Sequence, residues 1–180
     1  MNSLPRTISE IARWIITAIG VAALAVFLVW AFLGSTEIDG HSMNPLLYSE
    51  DTVLVDKLAY SFTDIDRFDV VYFKYGAEGL EKTSVKRVVG LPGETIKIKD
   101  GKVYINGKVI SLPDGVSSIT SPGIADSGIT LDYDEYFLLG DNSDSSEDSR
   151  FIAVGSISRS NIIGKVWLRL FPFDHFGFVK

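Results

Sequence analysis

The chain has 180 residues, of which 46% are hydrophobic, and its mean hydropathy of +0.21 is high for a soluble protein. The formal charge of −6, from 17 basic and 23 acidic side chains, argues against nucleic acid as a partner. The absence of cysteine excludes disulfides, thiolate metal sites and cysteine-dependent catalysis, and only two histidines argue against a histidine-built metal centre. We therefore expect no metal and no cofactor.

The first predicted element is an apolar helix. The segment Trp14–Leu33 spans 20 positions without a charged side chain, which at about 1.5 Å per residue is long enough to cross a hydrocarbon core of roughly 30 Å. A cleavable signal peptide is the alternative, but its apolar region would be about 7–15 residues and would end in small residues. Because Phe32 and Leu33 are large, the sequence favours a retained transmembrane helix.

The charges on either side of this segment predict its orientation. Arg6 and Arg13 precede it, whereas Glu37 and Asp39 follow it. Since basic residues accumulate on the cytoplasmic side, residues 1–13 are expected in the cytoplasm and residues 34–180 outside it. The sequence thus predicts a single-pass protein of the plasma membrane, in contact with lipid, with one extracytoplasmic domain.

The remainder of the chain has a β pattern. Asp100-Gly101 and Asn106-Gly107 are typical of type I′ turns and predict a three-strand meander, whereas the Pro- and Gly-rich segment 111–130 indicates an irregular insertion. The fold class expected is therefore an all-β domain behind one N-terminal transmembrane helix. The predicted strands are Val53–Val55, Val70–Phe73, Ile96–Ile98, Val103–Ile105 and Val166–Leu170.

The first candidate site is the segment from Gly40 to Pro45, a few residues after the apolar helix. The hydroxyl of Ser42 lies between a glycine-containing turn and a proline, where backbone N–H groups can point toward it and form an oxyanion hole. An ordinary turn has the same pattern and remains the alternative at this point.

The second candidate is Lys86, which lies in a valine-rich segment with Val85, Val88 and Val89. Burial among such side chains disfavours the charged amine, lowers its pKa and allows it to act as a base. A charged lysine that protects a sheet edge is the alternative.

The third candidate is the segment Gly140–Arg150, which is rich in carboxylates and hydroxyls. A calcium loop is one interpretation, although the glycine and glutamate spacing of an EF-hand is missing. A structural loop is the other, with Asp148 placed to pair with Arg150 or another cation.

Taken together and in this order, the three segments resemble the type I signal peptidases, membrane-anchored Ser/Lys proteases. The resemblance covers nearly the whole chain. It rests on the helix and on the boxes G-x-S-M-x-P at Gly40–Pro45, D-x-V-L-V-x-K at Asp51–Lys57, K-R-V-x-G-x-P-G at Lys86–Gly93 and G-D-N-x-x-x-S-x-D-S-R at Gly140–Arg150.

The resemblance implies a role for each matching residue. Ser42 would be the nucleophile, its backbone N–H an oxyanion donor, and Lys86 the general base. Ser146 would orient the lysine ammonium, and Asp148 and Arg150 would support the site. The substrates implied are preproteins that carry a signal peptide, cleaved after a small-x-small site.

Two departures from the family pattern matter. Gly40 stands where members of the Gram-negative type often have a serine as second oxyanion donor, so this chain resembles the Gram-positive type. The insertion at 111–130 is short and has no cysteine.

The subsites for small side chains are expected at Ile38, Met43, Leu47, Val53, Ser84 and Val85.

Rival residues and rival functions are also conceivable. His41 could assist Ser42, but adjacent residues of an extended chain point to opposite sides. Lys57 also follows a β run, but its neighbour Asp56 indicates a solvated strand end where the amine stays charged. The functional alternatives are an anchored β domain that binds exported chains without cutting them, and a calcium-dependent surface module at Asp141–Asp148.

Overall fold

The computed structural model describes residues 6–180, without the side chains of residues 6–8, 25–26 and 28–32. The first five residues of the predicted cytoplasmic segment 1–13 lie outside the described residues. Everything below concerns the described part of the chain.

The N-terminal element is the helix α1, Arg6–Phe32. It begins eight residues before the predicted transmembrane segment and ends one residue before Leu33, where the first strand starts. Across residues 6–180, no helix meets the combined length and hydropathy required of a membrane span. Several side chains of Trp14–Leu33 lie outside the described set, so the transmembrane prediction stays a prediction.

The rest of the chain is rich in β-structure, as expected. All five predicted strands are confirmed, and a second short helix, α2, covers Ala59–Phe62. The strands are β1 (Leu33–Glu37), β2 (Thr52–Asp56), β3 (Val70–Tyr75), β4 (Lys82–Gly90), β5 (Thr95–Lys99), β6 (Lys102–Ile105), β7 (Lys108–Ile110), β8 (Ile129–Thr130), β9 (Glu135–Leu139), β10 (Ile157–Ser158), β11 (Ile162–Phe171) and β12 (Gly177–Phe178).

The strands form two antiparallel sheets. The larger sheet has the order β1-β2-β11-β3-β4-β9-β10, with β12 paired to β11. Strand β4 therefore lies inside the sheet, between β3 and β9, and its residues 85–90 are all buried. This position rules out a protective lysine at a sheet edge for Lys86, because an edge strand would lack one of these neighbours.

The smaller sheet contains the predicted meander. Its order is β7-β6-β5-β8, and both predicted type I′ turns have positive φ at their two central residues, for example 51° at Asn106 and 78° at Gly107. The segment 111–130 is less irregular than expected, because β8 at its end pairs with β5. The edge of β5 that does not face β6 provides the backbone hydrogen-bonding partners of β8. The sequence pattern does not reveal this pairing.

Three buried apolar clusters hold the domain together. One joins strands of the two sheets and includes Ile96 of β5 and Phe137 of β9, and another lies around Phe73 and Leu138 on the larger sheet. The third lies beneath the segment that joins β1 to β2, and Met43 and Leu47 from that segment are almost fully buried in it. This third cluster fixes the position of Ser42.

Candidate active site

The structure brings Ser42 and Lys86 together although 43 residues separate them in the chain. Lys86 Nζ lies 2.8 Å from Ser42 Oγ. Ser42 belongs to the segment between β1 and β2, and Lys86 lies on β4, in register with Val71 of β3. The contact therefore depends on the sheet order and on the packing of the β1–β2 segment against it.

Lys86 is buried, with 2% of its surface exposed. Desolvation by burial lowers its pKa from 10.5 to about 8, while the negative charges of Asp148, Glu147 and Asp141 act in the opposite direction. Besides Ser42, Nζ contacts Ser84 Oγ at 2.9 Å and the Val85 carbonyl oxygen at 3.1 Å. The lowered pKa increases the fraction of neutral amine near neutral pH, and the neutral amine is the form that can act as a base.

The backbone around Ser42 is tied to the segment that follows β9. The amide N–H of Asn142 donates to the Ser42 carbonyl oxygen at 2.9 Å, and the Asn142 side chain donates to the His41 carbonyl oxygen at 3.1 Å. Gly140 permits this approach, because a Cβ there would collide with Ser146 Oγ and with the Ser42 carbonyl oxygen. These contacts orient the backbone of Ser42.

The backbone N–H groups of Ser42 and Gly40 differ in their hydrogen bonding. Among residues 6–180, no acceptor takes a hydrogen bond from the Ser42 N–H, which leaves it available to an oxyanion. Gly40, at φ +84°, has a conformation that favours glycine, and its N–H donates to Ser49 Oγ at 3.3 Å. The structure thus gives Gly40 a role in shaping the turn.

The segment 140–150 is a buried polar network. Ser146 Oγ donates to Asp148 Oδ2 at 2.7 Å, and Asp148 forms a salt bridge with Arg150 in which Nε and Oδ1 are 2.8 Å apart. Arg150 also donates to the Ser143 and Ser121 carbonyl oxygens. Asp148 is fully buried, so these hydrogen bonds offset the cost of removing its charge from water.

The position of Ser146 differs from the expectation. The resemblance predicts that Ser146 orients the Lys86 ammonium, but within the described chain the side-chain hydroxyls bonded to Nζ are those of Ser42 and Ser84. The Ser146 hydroxyl is bonded to Asp148 instead. The short separation of Ser146 from Asp148 along one loop makes that bond geometrically easy.

A second buried ion pair lies beside the first. Arg87, next to Lys86 on β4, makes a bidentate contact with Asp141, with both nitrogen-to-oxygen distances at 2.7 Å. Both side chains are almost fully buried. The pair ties β4 to the start of the segment 140–150 and was not singled out by the sequence, which offers no way to match one cation to one carboxylate.

A cavity of about 240 Å³ opens at Ser42. It receives four of the six predicted subsite residues and several that sequence reasoning missed, because they come from strands that only the sheet order brings together. The lining residues are Thr36, Glu37, Ile38, Asp39, Ser42, Met43, Tyr72, Thr83, Ser84 and Val85. The predicted residues Leu47 and Val53 do not line it: both have 0% exposure and pack behind Met43.

Ser42 also lines a second, more open cleft of about 550 Å³. It shares Asp39, Ser42, Thr83 and Ser84 with the first cavity and is otherwise polar. Ser42 thus lines two adjoining depressions, and the apolar side chains of Ile38, Met43 and Val85 belong to the first of them. An extended peptide could pass through both, with its scissile bond at Ser42.

The two rival residues, His41 and Lys57, are exposed, and His41 lines the open cleft beside Ser42. Lys57 lies at the end of β2, as its sequence context predicts. The calcium interpretation finds no geometric basis within the part of the chain the structure covers, where no three acidic or histidine side chains form a metal-binding group. The carboxylates of Asp141 and Asp148 are bonded to arginines instead.

Comparison with known proteins matches the resemblance seen in the sequence. Residues 10–171 match the family described as signal peptidase, peptidase S26. Signal peptidase I V of Bacillus subtilis is 35% identical over 85% of this chain and 95% of its own length. Signal peptidase I P of Bacillus subtilis subsp. natto is 34% identical over 96% and 95%. A crystal structure of a signal peptidase I from Enterococcus faecalis, 29% identical, covers 57% of this chain and 97% of its own with a TM-score of 0.47.

Proposed function

The chain belongs to the peptidase S26 family of signal peptidases, and on that basis we propose that it is a serine endopeptidase that removes signal peptides from exported preproteins. The nucleophile is Ser42 and the general base is Lys86. The observation that carries this proposal is the 2.8 Å contact between Ser42 Oγ and the buried amine of Lys86.

The proposed reaction proceeds in two halves. The neutral Lys86 amine takes the Ser42 hydroxyl proton while Oγ attacks the scissile carbonyl carbon, and the Ser42 N–H stabilises the resulting oxyanion. The tetrahedral intermediate collapses to an acyl-enzyme when the C–N bond breaks and the Lys86 ammonium gives its proton to the departing amine. Water then attacks the ester, Lys86 takes its proton, and Ser42 recovers its hydrogen when the signal peptide leaves.

The surrounding groups each have a part in this proposal. Asp148 and Arg150 hold the segment 140–150 against the Ser42 backbone, with Ser146 attached to Asp148. The cavity walls at Ile38, Met43 and Val85 leave room for small side chains at −1 and −3 of the substrate. Larger side chains would overpack the cavity.

We also propose that residues 14–33 anchor the protein in the plasma membrane, with residues 1–13 cytoplasmic and residues 34–180 outside. The support is the uncharged length of this segment and the distribution of charges around it. Membrane lipid is then a partner, and the preprotein meets the site where it leaves the bilayer.

The test is cleavage of a preprotein by the detergent-solubilised chain, followed by mass determination of the product. We expect release of a mature chain by the wild type and by Ser61→Ala, a control at an exposed serine of α2. We expect none from Ser42→Ala. Binding of the preprotein without cleavage by the wild type would instead support a non-catalytic domain.

A further inference from the structure

Ser84 lines the cavity, but it also contacts the lysine: its Oγ lies 2.9 Å from Lys86 Nζ. We propose that Ser84 is a positioning residue, whose hydroxyl accepts a hydrogen bond from the Lys86 amine and so directs the lone pair of that amine at Ser42. This inference rests on the proposed function, because it assigns a partner to the proposed base.

Strand periodicity places the two side chains together. Residues two positions apart on a strand lie on the same face, so Ser84 and Lys86 share a face of β4, with Val85 between them on the other. Strand β3 holds both positions in register, because Phe73 is paired with Ser84 and Val71 with Lys86. Phe73 and Val71 are both at 0% exposure, so the Ser84 backbone belongs to a well-packed part of the sheet.

The three groups bonded to Nζ can accommodate a neutral amine. A neutral lysine amine has two N–H donors and one lone pair, and Nζ has three partners in the structure. The Val85 carbonyl oxygen can only accept, so it takes one N–H. If Ser84 Oγ accepts the second, the lone pair is left for the hydroxyl of Ser42, which is the arrangement that proton abstraction requires.

The Ser84 and Val85 oxygens remain hydrogen-bond acceptors after Lys86 has taken the Ser42 proton. The ammonium has three donors, two of which remain bonded to Ser84 Oγ and the Val85 carbonyl oxygen. The third N–H is the one that received the serine proton, and it points to where the departing amine must collect it. The Ser84 contact therefore keeps a single direction for proton transfer in both halves of the reaction.

The hydroxyl of Ser146 is bonded to Asp148 and does not take the place of Ser84 at Lys86 Nζ. The Ser146 hydroxyl donates to Asp148 at 2.7 Å, a charge-assisted hydrogen bond that holds the side chain toward the carboxylate. Ser84 reaches Nζ from the strand that carries the lysine, whereas Ser146 belongs to a separate loop. A partner on the same strand moves with the lysine when the loop shifts.

The test uses three variants at Ser84 in the full chain, assayed with a peptide substrate over a range of pH. Thr and Val have nearly the same shape and suit a strand, and they differ by the hydroxyl. We expect Ser84→Thr to retain most of the wild-type kcat, and Ser84→Ala and Ser84→Val to lose about tenfold or more, since misdirected groups are costly in catalysis. Ser35→Ala, at an exposed serine of β1 outside both cavities, is the control.

The pH profile separates positioning from substrate contact. Loss of an acceptor for the ammonium favours the neutral amine, so the acidic limb of the kcat profile should move to lower pH in Ser84→Val and stay in place in Ser84→Thr. Equal kcat values and unmoved profiles for Thr and Val, or an effect confined to KM, would overturn the inference. Wild-type cleavage that is abolished by Ser42→Ala would in that case leave the proposed function standing.

Discussion

Lys86 and Arg87 are adjacent buried basic residues on β4 that point to opposite faces, and they differ in their partners. Arg87 is bonded by both branches of its guanidinium to Asp141, whereas Lys86 contacts two hydroxyls and a carbonyl oxygen. A charge that is buried without a directly bonded carboxylate is unfavourable, and burial accordingly lowers the pKa of Lys86, which favours its neutral form.

The first prediction concerns the identity of the base. Lys86→Met, which keeps the length and buried apolar stem, and Lys86→Arg, which cannot give up its proton, should both lower kcat by at least about a hundredfold. Lys57→Arg, at the exposed end of β2, should remain active. Peptide hydrolysis measured beside circular dichroism spectra checks this result.

The two Lys86 variants should differ in stability. Lys86→Arg places a permanent charge in a site that lacks a directly bonded carboxylate, so its melting temperature should lie below that of Lys86→Met. Substantial turnover by folded Lys86→Met would contradict the assignment of the base even if Lys86→Arg fails to fold.

The second prediction is a pH dependence. Since burial lowers the pKa of Lys86 to about 8, the neutral fraction increases as the pH rises through that value. The kcat of peptide hydrolysis should therefore increase between about pH 7 and 9 and then level off. A profile that is flat there, or that falls as the pH rises, would exclude a neutral lysine base.

The same shift has a consequence for stability with a defined sign. The pKa of Lys86 is lower in the folded chain than the 10.5 of a free side chain, so the unfolded chain binds more protons between about pH 8 and 10.5. The Lys86 contribution to the free energy of unfolding should thus increase with pH in this window. Lys86→Met should remove that increase, which chemical denaturation at several pH values can measure.

The third prediction concerns substrate selection. A peptide with Ala at −1 should be cleaved and one with Leu at −1 rejected by about a hundredfold in kcat/KM, because a larger side chain would overpack against Val85, Met43 and Ile38 in the lining of the cavity of about 240 Å³. Val85→Ala should partly relieve the rejection. Val109→Ala, on an exposed strand position of the smaller sheet, should not. Equal cleavage of both peptides by the wild type would show that these residues are not the walls.

The fourth prediction concerns residues 1–32. A chain that begins at Leu33 keeps β1 and should hydrolyse peptides in solution about as well as the full chain. It should process preproteins in membrane vesicles at least about tenfold more slowly, because the proposed anchor brings enzyme and substrate to the same surface. Equal rates in vesicles would mean that the helix does not contribute to this encounter.

Local patterns in the sequence were sufficient for much of the fold. The β runs at Val53–Val55 and Val166–Leu170 and the Asn106-Gly107 turn depend on neighbouring residues, and the structure confirms them. Strand β1 was missed because Gly34, Ser35 and Thr36 have no hydrophobic alternation, and its partner β2 provides the hydrogen bonds.

The candidate site depended on contacts between distant parts of the chain. The motifs identify Ser42 and Lys86, but the sequence cannot say which serine hydroxyl reaches the amine, since that choice depends on side-chain directions on β4 and in the loop. Likewise Tyr72 lines the cavity because β3 lies beside β4. Leu47 and Val53 have the apolar character expected of subsite residues but lie one layer deeper.

Helix α1 ends at Phe32 and strand β1 begins at Leu33, so no linker residue separates the proposed anchor from the β domain. Eight residues, 34–41, separate Leu33 from Ser42, and four of them, 34–37, pair with β2. At no more than roughly 3.5 Å per residue, the nucleophile lies within about 30 Å of the helix end. The proposed active site would then lie at a fixed distance from the bilayer. Substrates would be selected both by the side chains near the scissile bond and by the distance of that bond from the membrane.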